Sequence, residues 1–245
     1  MDTEKSEQMT IHRVRVENDD GARAIGKPVG YYVTLEVPRL KDKDPELTEE
    51  VSKNLGEELR QMMDLPEKAT ILVIGLGNWN VTPDSLGPKV VEKLLVTRHL
   101  IELMPGQFSK GKGLRSVCAL SPGVLGITGI ETGDIIKAVT DKVKPDLVIA
   151  IDALASRSME RISTTIQIAD TGVYPGSGIG NKRMGITRET IGVPVIAIGV
   201  PTVVDAATMA NDTLDMLIGQ FARQATSGSE FYKMLHSLDK EEKYQ

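Results

Sequence analysis

Cysteine and histidine are both scarce in this chain of 245 residues, which contains one cysteine and three histidines. A disulfide scaffold is therefore impossible within the chain, and a reducing cytoplasm fits this composition best. Cys118 lies in the apolar run Val117-Cys118-Ala119-Leu120, where we expect a buried and inert thiol. The zinc-peptidase motif H-E-x-x-H is absent, which disfavours that class of enzyme.

Long apolar runs and an excess of positive charge are missing as well. The N-terminal residues MDTEKSEQMTIHR are polar where a secretory signal needs an apolar stretch, and no later run approaches the roughly 20 apolar residues of a membrane span. The formal net charge is -5, and Lys and Arg are mixed with Asp and Glu. We therefore expect no membrane partner and no direct binding to nucleic acid.

Apolar runs alternate with amphipathic stretches along most of the chain. The runs predict buried strands at 71–77, 116–120, 146–152, 163–170 and 194–200, and the stretches predict helices at 45–64, 84–95, 132–143 and 205–224. This alternation is typical of a three-layer α/β/α fold whose mostly parallel sheet is covered by helices on both faces. The length suggests a single domain over residues 1–245.

Three segments carry separate predictions. Residues 1–26 are polar and mixed in charge, which predicts an extended or partly ordered N-terminal segment. Residues 31–37, YYVTLEV, alternate like an exposed or edge strand. The helix at 205–224 contains Ala and Met, and we expect it to pack in the core rather than at an interface between copies.

Two aspartates are expected at the same edge of the predicted sheet. In open parallel sheets, ligands bind beyond the carboxyl ends of the strands. The strand at 71–77 leads to Asn78 and then to Asp84, and the strand at 146–152 ends on Asp152. Two neighbouring carboxylates cannot both ionise cheaply, so one can hold a proton while the other accepts one from water. This pattern indicates general acid/base hydrolysis.

Structural roles for both aspartates remain open at this point. Asp84 is also well placed to cap the following helix, and Asp152 to accept hydrogen bonds from its own turn. The three histidines lie outside the strand-end segments, which disfavours a Ser-His-Asp or Cys-His triad; they are His12, His99 and His236.

Two glycine-rich motifs give weaker signals. Gly75-Leu76-Gly77 resembles a dinucleotide fingerprint, but Asn80 occupies the third glycine position. Residues 171–192 form a long glycine-rich loop, and long loops in compact domains are usually functional or mobile. Within it, Gly176-Ser177-Gly178 departs from the G-x-S-x-G elbow, so a turn is favoured over a serine nucleophile.

Several long motifs, in order, make this sequence resemble one family. They are GLGNWNVTPDSLGP (75–88), LSPGVLGITGIETGDII (120–136), VIAIDALASRS (148–158), IQIADTGVYPGSGIGN (166–181) and GVPVIAIGVPTVV (192–204). The sequence is similar to the germination proteases of endospore-forming bacteria. The resemblance implies an endopeptidase that starts the degradation of small acid-soluble spore proteins during germination. It also implies catalytic roles for Asp84 and Asp152.

The resemblance carries further expectations about assembly and location. It implies a homotetramer in the cytoplasm of the spore core, made as a zymogen whose N-terminal prosegment this chain is too short to contain in full. DNA would be an indirect partner, uncovered when the spore proteins are cut. Asn78, Arg157 and Asp170 are candidates for supporting the aspartates, with residues 171–181 as one wall of the cleft.

A second resemblance leaves an alternative mechanism open. The pattern is also similar to that of hydrogenase-maturation peptidases, which share the expected fold and bind a metal through acidic residues and a histidine. No histidine stands between His99 and His236, so we expect an aspartic-type mechanism without metal or cofactor. The alternatives are a metal-dependent maturation peptidase acting on one partner protein, and an inactive homologue that only binds spore proteins.

Overall fold

The computed structural model describes residues 1–108, 114–176 and 184–224. The strands are β1 (Asp2–Lys5), β2 (Thr10–Val16), β3 (Gly30–Glu36), β4 (Thr70–Gly75), β5 (Ser116–Leu120), β6 (Leu147–Ser156), β7 (Thr165–Ala169) and β8 (Val195–Val204). The helices are α1 (Asp19–Ile25), α2 (Pro45–Met62), α3 (Leu86–Lys93), α4 (Arg98–Leu103), α5 (Pro105–Phe108), α6 (Leu125–Thr128), α7 (Thr132–Val143), α8 (Arg188–Ile191) and α9 (Ala206–Gln224). Short 3₁₀ turns lie at Leu40–Asp42, Thr82–Asp84 and Met159–Arg161.

All these strands form one mixed sheet in the order β1-β2-β3-β7-β8-β6-β4-β5. Strands β8, β6, β4 and β5 are mutually parallel. In the other half, β1-β2-β3-β7-β8, each strand is antiparallel to its neighbour in the sheet. The α/β class is confirmed, but the expectation of a mostly parallel sheet holds for one half only. The link from β6 to β7 explains the difference, because residues 157–164 are too few for the helical crossover that parallel strands need.

The N-terminal residues contribute to the antiparallel half. Segment 1–26 supplies β1, β2 and α1. Strand β3 lies between β2 and β7, so the prediction of an exposed or edge strand at residues 31–37 is wrong. Its Val33 and Leu35 are fully buried, because they belong to the apolar cluster that also contains Leu47 and Val51 of α2.

Helices cover both faces of the parallel half and create two apolar clusters. On one face Leu47 and Val51 of α2 are buried in a cluster with sheet residues, and α3 packs against it. On the other face Ile136 of α7 and Ile191 of α8 join Leu72 and other sheet residues. The expected three layers are therefore present.

Helix α2 begins and packs as its sequence predicts. The Asp44 side chain accepts hydrogen bonds from the Glu46 and Leu47 amides, and Pro45 occupies the first turn. Glu58, near the other end, is buried and accepts hydrogen bonds from Arg13 of β2. This ion pair fastens α2 to the antiparallel half of the sheet.

Helix α9 does not enter the core where its side chains are described. Met209, Leu214, Met216 and Leu217 are all exposed. A contact with the rest of the fold comes from Asp212, whose carboxylate accepts a hydrogen bond from the Met159 amide at 2.8 Å. The prediction of a core helix is therefore wrong for these residues.

Among the helices of the described ranges, none combines the length and apolarity required to cross a bilayer.

Candidate active site

Three glycines allow α3 to approach the ends of β4 and β6 closely. A Cβ atom added to Gly87 would lie 2.4 Å from the Leu76 carbonyl oxygen and 2.6 Å from that of Ile151. One added to Gly75 would lie 2.3 Å from the Gly87 carbonyl oxygen. The third glycine, Gly77, has φ +111°, a backbone conformation that other residues rarely adopt. The close packing places the turn Thr82–Asp84 against β6 and β8.

The backbone of Asn78 holds Asp84 in place. The Asn78 amide donates to the Asp84 carboxylate at 2.8 Å and to the Asp84 carbonyl oxygen at 3.0 Å. The Asn78 side chain accepts a hydrogen bond from the Asn80 amide at 3.0 Å, which closes the intervening turn. Asn78 therefore contacts Asp84 through its amide, while its side chain shapes the loop.

Asp152 lies beside this turn on the neighbouring strand. It is 8% exposed, it pairs in register with Gly199 of β8, and its carboxylate accepts a hydrogen bond from the Ala153 amide at 2.9 Å. Burial raises the pKa of Asp152 to about 6, the Ala153 hydrogen bond opposes this, and the charge of Asp84 raises it further. Asp152 can therefore hold a proton under mildly acidic conditions.

Asp84 and Asp152 thus form a carboxyl pair at the carboxyl ends of β4 and β6. The charge of Asp84 is the smallest of the three causes that shift the pKa of Asp152, and neither carboxyl is assigned as the acid or the base. With one proton shared between them, the pair can take a proton from water and supply one to a peptide leaving group. Within the described ranges, no group of three or more His, Cys, Asp or Glu side chains is arranged to hold a metal ion.

The other candidate residues lie further from the pair. Arg157 is exposed just beyond β6, about 16 Å from Asp152 at roughly 3.3 Å per residue of extended chain. Asp170 follows β7, which runs antiparallel to β8. It therefore lies at the end of the sheet opposite the carboxyl ends of β4 and β6. There its carboxylate accepts a hydrogen bond from the Tyr31 amide at 2.7 Å. The structure thus brings Asn78, but not Asp170, to the carboxyl pair.

Two further predictions concern Cys118 and the glycine-rich loop. Cys118 is half-buried in β5, its thiol donates to the Ile71 carbonyl oxygen at 3.7 Å, and burial raises its pKa. A thiol of this kind is not activated as a nucleophile. Ser177 and the other residues of 177–181, which belong to the predicted cleft wall at 171–181, lie outside the described residues.

The sequence reasoning overlooked the structural role of the glycines. The motif Gly75-Leu76-Gly77 was considered only as a dinucleotide fingerprint, whereas both glycines serve the close approach of the Asp84 turn and α3. A glycine directly after a buried strand, with another at the start of the next helix, is the signal that points to such a junction.

Comparison with known proteins gives a consistent result. A family model described as germination protease matches residues 1–242. The germination protease of Clostridium perfringens (strain ATCC 13124) is 54% identical over 237 residues, which are 97% of this chain and 72% of that protein. That of Caldanaerobacter subterraneus subsp. tengcongensis is 56% identical over 241 residues, covering 98% of this chain and 74% of the relative.

A more distant relative extends the comparison to another genus. The germination protease of Bacillus cereus (strain AH187) is 49% identical over 229 residues, which are 92% of this chain and 62% of that protein. Similarity at this level covers both strand-end segments that carry the carboxyl pair. The chain therefore belongs to the germination protease family and is a peptidase.

Proposed function

We propose that this chain is an endopeptidase that begins the degradation of small acid-soluble spore proteins at germination, with Asp84 and Asp152 as an acid/base pair. The observation that carries the proposal is the buried Asp152 carboxyl, whose pKa is raised to about 6 next to the Asp84 turn. Perturbed carboxyl pairs in this position are typical of hydrolytic sites. Family membership supplies the link to proteolysis and germination.

In this mechanism the pair carries one proton when substrate binds. The ionised carboxylate takes a proton from a water molecule, which attacks the carbonyl carbon of the scissile peptide bond. The protonated partner donates its proton to the leaving amine, so that the bond breaks without a charged nitrogen leaving group. The amide of Asn78 holds the Asp84 carboxylate at 2.8 Å, and burial raises the pKa of Asp152 to about 6, so that the pair can carry one proton under mildly acidic conditions.

The test is cleavage of a purified small acid-soluble spore protein by the wild type and by Asp84→Asn and Asp152→Asn variants. Each reaction is run with and without a chelator. Asp64→Asn is the matched control, because Asp64 is an exposed aspartate after α2 and away from the pair. We expect the wild type and the control to cut with chelator present, and both site variants to lose at least about 10³-fold in kcat/KM.

Three outcomes contradict the proposal in different ways. Loss of wild-type activity with chelator supports a metal-dependent peptidase instead. An Asp84→Asn or Asp152→Asn variant that folds and retains activity removes that residue from the mechanism. Binding of the spore protein without any cleavage by the wild type supports a binding homologue.

Assembly and location belong to the same proposal. We expect a homotetramer that acts in the cytoplasm of the spore core, where its substrates are stored. The exposed apolar side chains of α9 support association between copies, since apolar groups on a surface gain from burial.

A further inference from the structure

The loop that carries Asp84 exposes two apolar side chains close to the carboxyl pair. Trp79 is 47% exposed and Val81 43%; we call these two residues the apolar rim. Trp79 is also the single tryptophan of the chain. Tryptophan is largely buried in most proteins, and exposed tryptophan is enriched among the residues that contribute most to binding a partner.

Hydrogen bonds of the backbone tie the apolar rim to Asp84. The Asn78 amide donates to the Asp84 carboxylate at 2.8 Å, and Trp79 is the next residue. The Val81 amide donates to the Asn78 carbonyl oxygen at 3.1 Å, and the Val81 carbonyl oxygen accepts from the Asp84 amide at 2.8 Å. At about 3.8 Å per residue, the rim therefore lies within about two residue lengths of Asp84.

On the side of β8, a leucine side chain fills the space beside the carboxyl pair. Gly199 of β8 lies beside Asp152, and a Cβ atom added to Gly199 would lie 2.4 Å from Cδ1 of Leu154. Leu154 therefore covers this glycine, and Gln167 of β7 stands on its other side. A substrate polypeptide at the pair therefore meets the loops that follow β4 and β5 instead of the surface of β8 and β7.

The loop after β5 is apolar and exposed as well. Strands β4 and β5 are parallel neighbours, and the Ser121 hydroxyl at the start of this loop donates to the Gly75 carbonyl oxygen at 3.3 Å. The loop exposes the side chains of Leu125, Ile127 and Ile130. Neither loop, 76–83 or 121–130, contains Asp, Glu, Lys or Arg, although these types make up 26% of the chain. A charged substrate side chain finds no counter-charge in these loops, whereas an apolar one gains from burial against them.

We propose that Trp79 and Val81 determine specificity by binding an apolar side chain of the substrate, within about two residues of the peptide bond that is cut. This inference rests on the proposed function, because it takes the carboxyl pair as the point of cleavage. The Trp79 ring offers a large apolar surface, and contact with the substrate removes both surfaces from water. The rim thus selects which bond reaches the pair and takes no part in proton transfer.

The first experiment tests whether changes in the enzyme and in the substrate are coupled. The probes are peptides of a small acid-soluble spore protein that span the bond cut by the wild type, with each apolar side chain changed in turn to Ser. The enzymes are the wild type, Trp79→Phe, Trp79→Ser and Val81→Ser. Leu95→Ser is the matched control, because Leu95 is an exposed aliphatic residue beyond the far end of α3, about 12 Å along that helix from the Asp84 turn.

We expect Trp79→Ser and Val81→Ser to lower kcat/KM roughly tenfold or more, mainly through KM, while Leu95→Ser leaves it within about twofold. Trp79→Phe keeps an aromatic ring and should lose less than Trp79→Ser. One apolar position of the peptide should account for the loss, so that its change to Ser impairs the wild type but impairs Trp79→Ser little further.

Three results would overturn the proposal. The first is that the rim variants cut as well as the wild type. The second is that enzyme and substrate changes act independently at every apolar position of the peptide. The third is that the rim variants lower kcat alone and equally for every peptide, because this pattern indicates a displaced Asp84 turn and a purely structural role.

A binding measurement separates this inference from the proposed function. Because Trp79 is the single tryptophan, its fluorescence reports contacts at the rim without any cleavage. Asp152→Asn is titrated with overlapping tryptophan-free peptides of the same spore protein, and quenching of the fluorescence by acrylamide is measured. If the wild type cuts nothing, but one peptide protects Trp79 and loses this effect when an apolar side chain is changed to Ser, the subsite stands and the proposed function fails. If no peptide protects Trp79, the subsite proposal fails whether or not the wild type cuts.

Discussion

Above pH 6 the Asp152 carboxyl is charged at a position that is only 8% exposed. Its pKa is about 6 in the folded chain and near the ordinary value of 3.8 in the unfolded chain. The folded state therefore binds the proton more tightly, so the free energy of unfolding falls as pH rises between these two values. The loss amounts to roughly 3 kcal/mol once both states are ionised.

We therefore predict that Asp152→Asn abolishes cleavage and stabilises the protein. The neutral amide keeps the shape of the carboxyl group and can still accept the hydrogen bond from Ala153. At pH 8 the free energy of unfolding should rise by about 1–3 kcal/mol, and at pH 3 the variant should match the wild type. Urea unfolding at both pH values measures this. The exposed Asp64→Asn variant should show neither effect, and equal stabilisation at both pH values would contradict the electrostatic explanation.

Gly77 is the second residue whose local geometry leads to a prediction. It adopts φ +111°, and an added Cβ atom would lie 2.0 Å from the Asp84 carbonyl oxygen. Gly77→Ala must therefore displace the Asp84 turn, with a cost of about 1–3 kcal/mol in stability and at least about 10²-fold in kcat.

The control for this change is Gly56→Ala in the middle of α2. Apart from the backbone of the helix itself and the neighbouring residues, no atom lies within 4 Å of a Cβ atom added there, so alanine should stabilise the helix by about 0.5–1 kcal/mol without loss of activity. Thermal unfolding measures the change in stability of both variants, and cleavage assays measure the change in their activity. Unchanged activity in Gly77→Ala would show that the turn does not need the glycine.

At the scale of elements, a buried ion pair between Arg13 and Glu58 joins β2 to α2. The Arg13 side chain is 17% exposed and that of Glu58 3%, and Arg13 also pairs with Asp2 and Glu4 of β1. Removing the arginine leaves a buried carboxylate without its partner. We predict that Arg13→Met lowers the free energy of unfolding by about 3–5 kcal/mol while folded protein remains active.

Two comparisons sharpen this prediction. Arg23→Met removes an ion pair with Asp20 that is exposed on both sides, and should change stability by less than about 1 kcal/mol. The double variant Arg13→Met/Glu58→Leu should recover much of the loss, because no charge stays buried. Equal stability of Arg13→Met and the wild type in denaturant titrations would contradict the argument.

The elements also show which parts of this fold can be read from sequence. The continuous apolar runs of β4, β6 and β8 are recognisable, because strands covered on both faces need apolar residues at every position. Strand β2, TIHRVRV, lacks such a continuous apolar run, and its place in the sheet is evident only from its pairing with β3. The direction of β7 depends on a short connection, and that direction decided the position of Asp170.

For the candidate site, the residue types at the strand ends predict which side chains meet, whereas the backbone contacts that hold them cannot be read from the sequence. Asp84 and Asp152 follow from the rule that ligands bind at the carboxyl ends of parallel strands. The donation from the Asn78 amide depends on the turn conformation around Gly77, which the glycine permits but does not specify. The catalytic role of the pair stays a prediction until the variants are assayed.

At the scale of the whole molecule, α9 presents apolar side chains to solvent. Met209 and Met216 are 48% and 55% exposed, and seven residues separate them, so they share one face of the helix. If copies associate through this face, light scattering should give four times the 26.6 kDa of one chain. Met209→Lys/Met216→Lys should reduce that mass. A wild type that stays monomeric at all concentrations would refute the proposed tetramer.

Strand β8 joins the two halves of the sheet, since it lies between β6 and β7 and pairs with both. During synthesis on the ribosome, residues 195–204 emerge after the other strands of the described ranges. Until then β6 is an open edge, and Asp152 has no Gly199 beside it to exclude water. The burial that raises the pKa of Asp152 is therefore complete only once β8 has paired with β6.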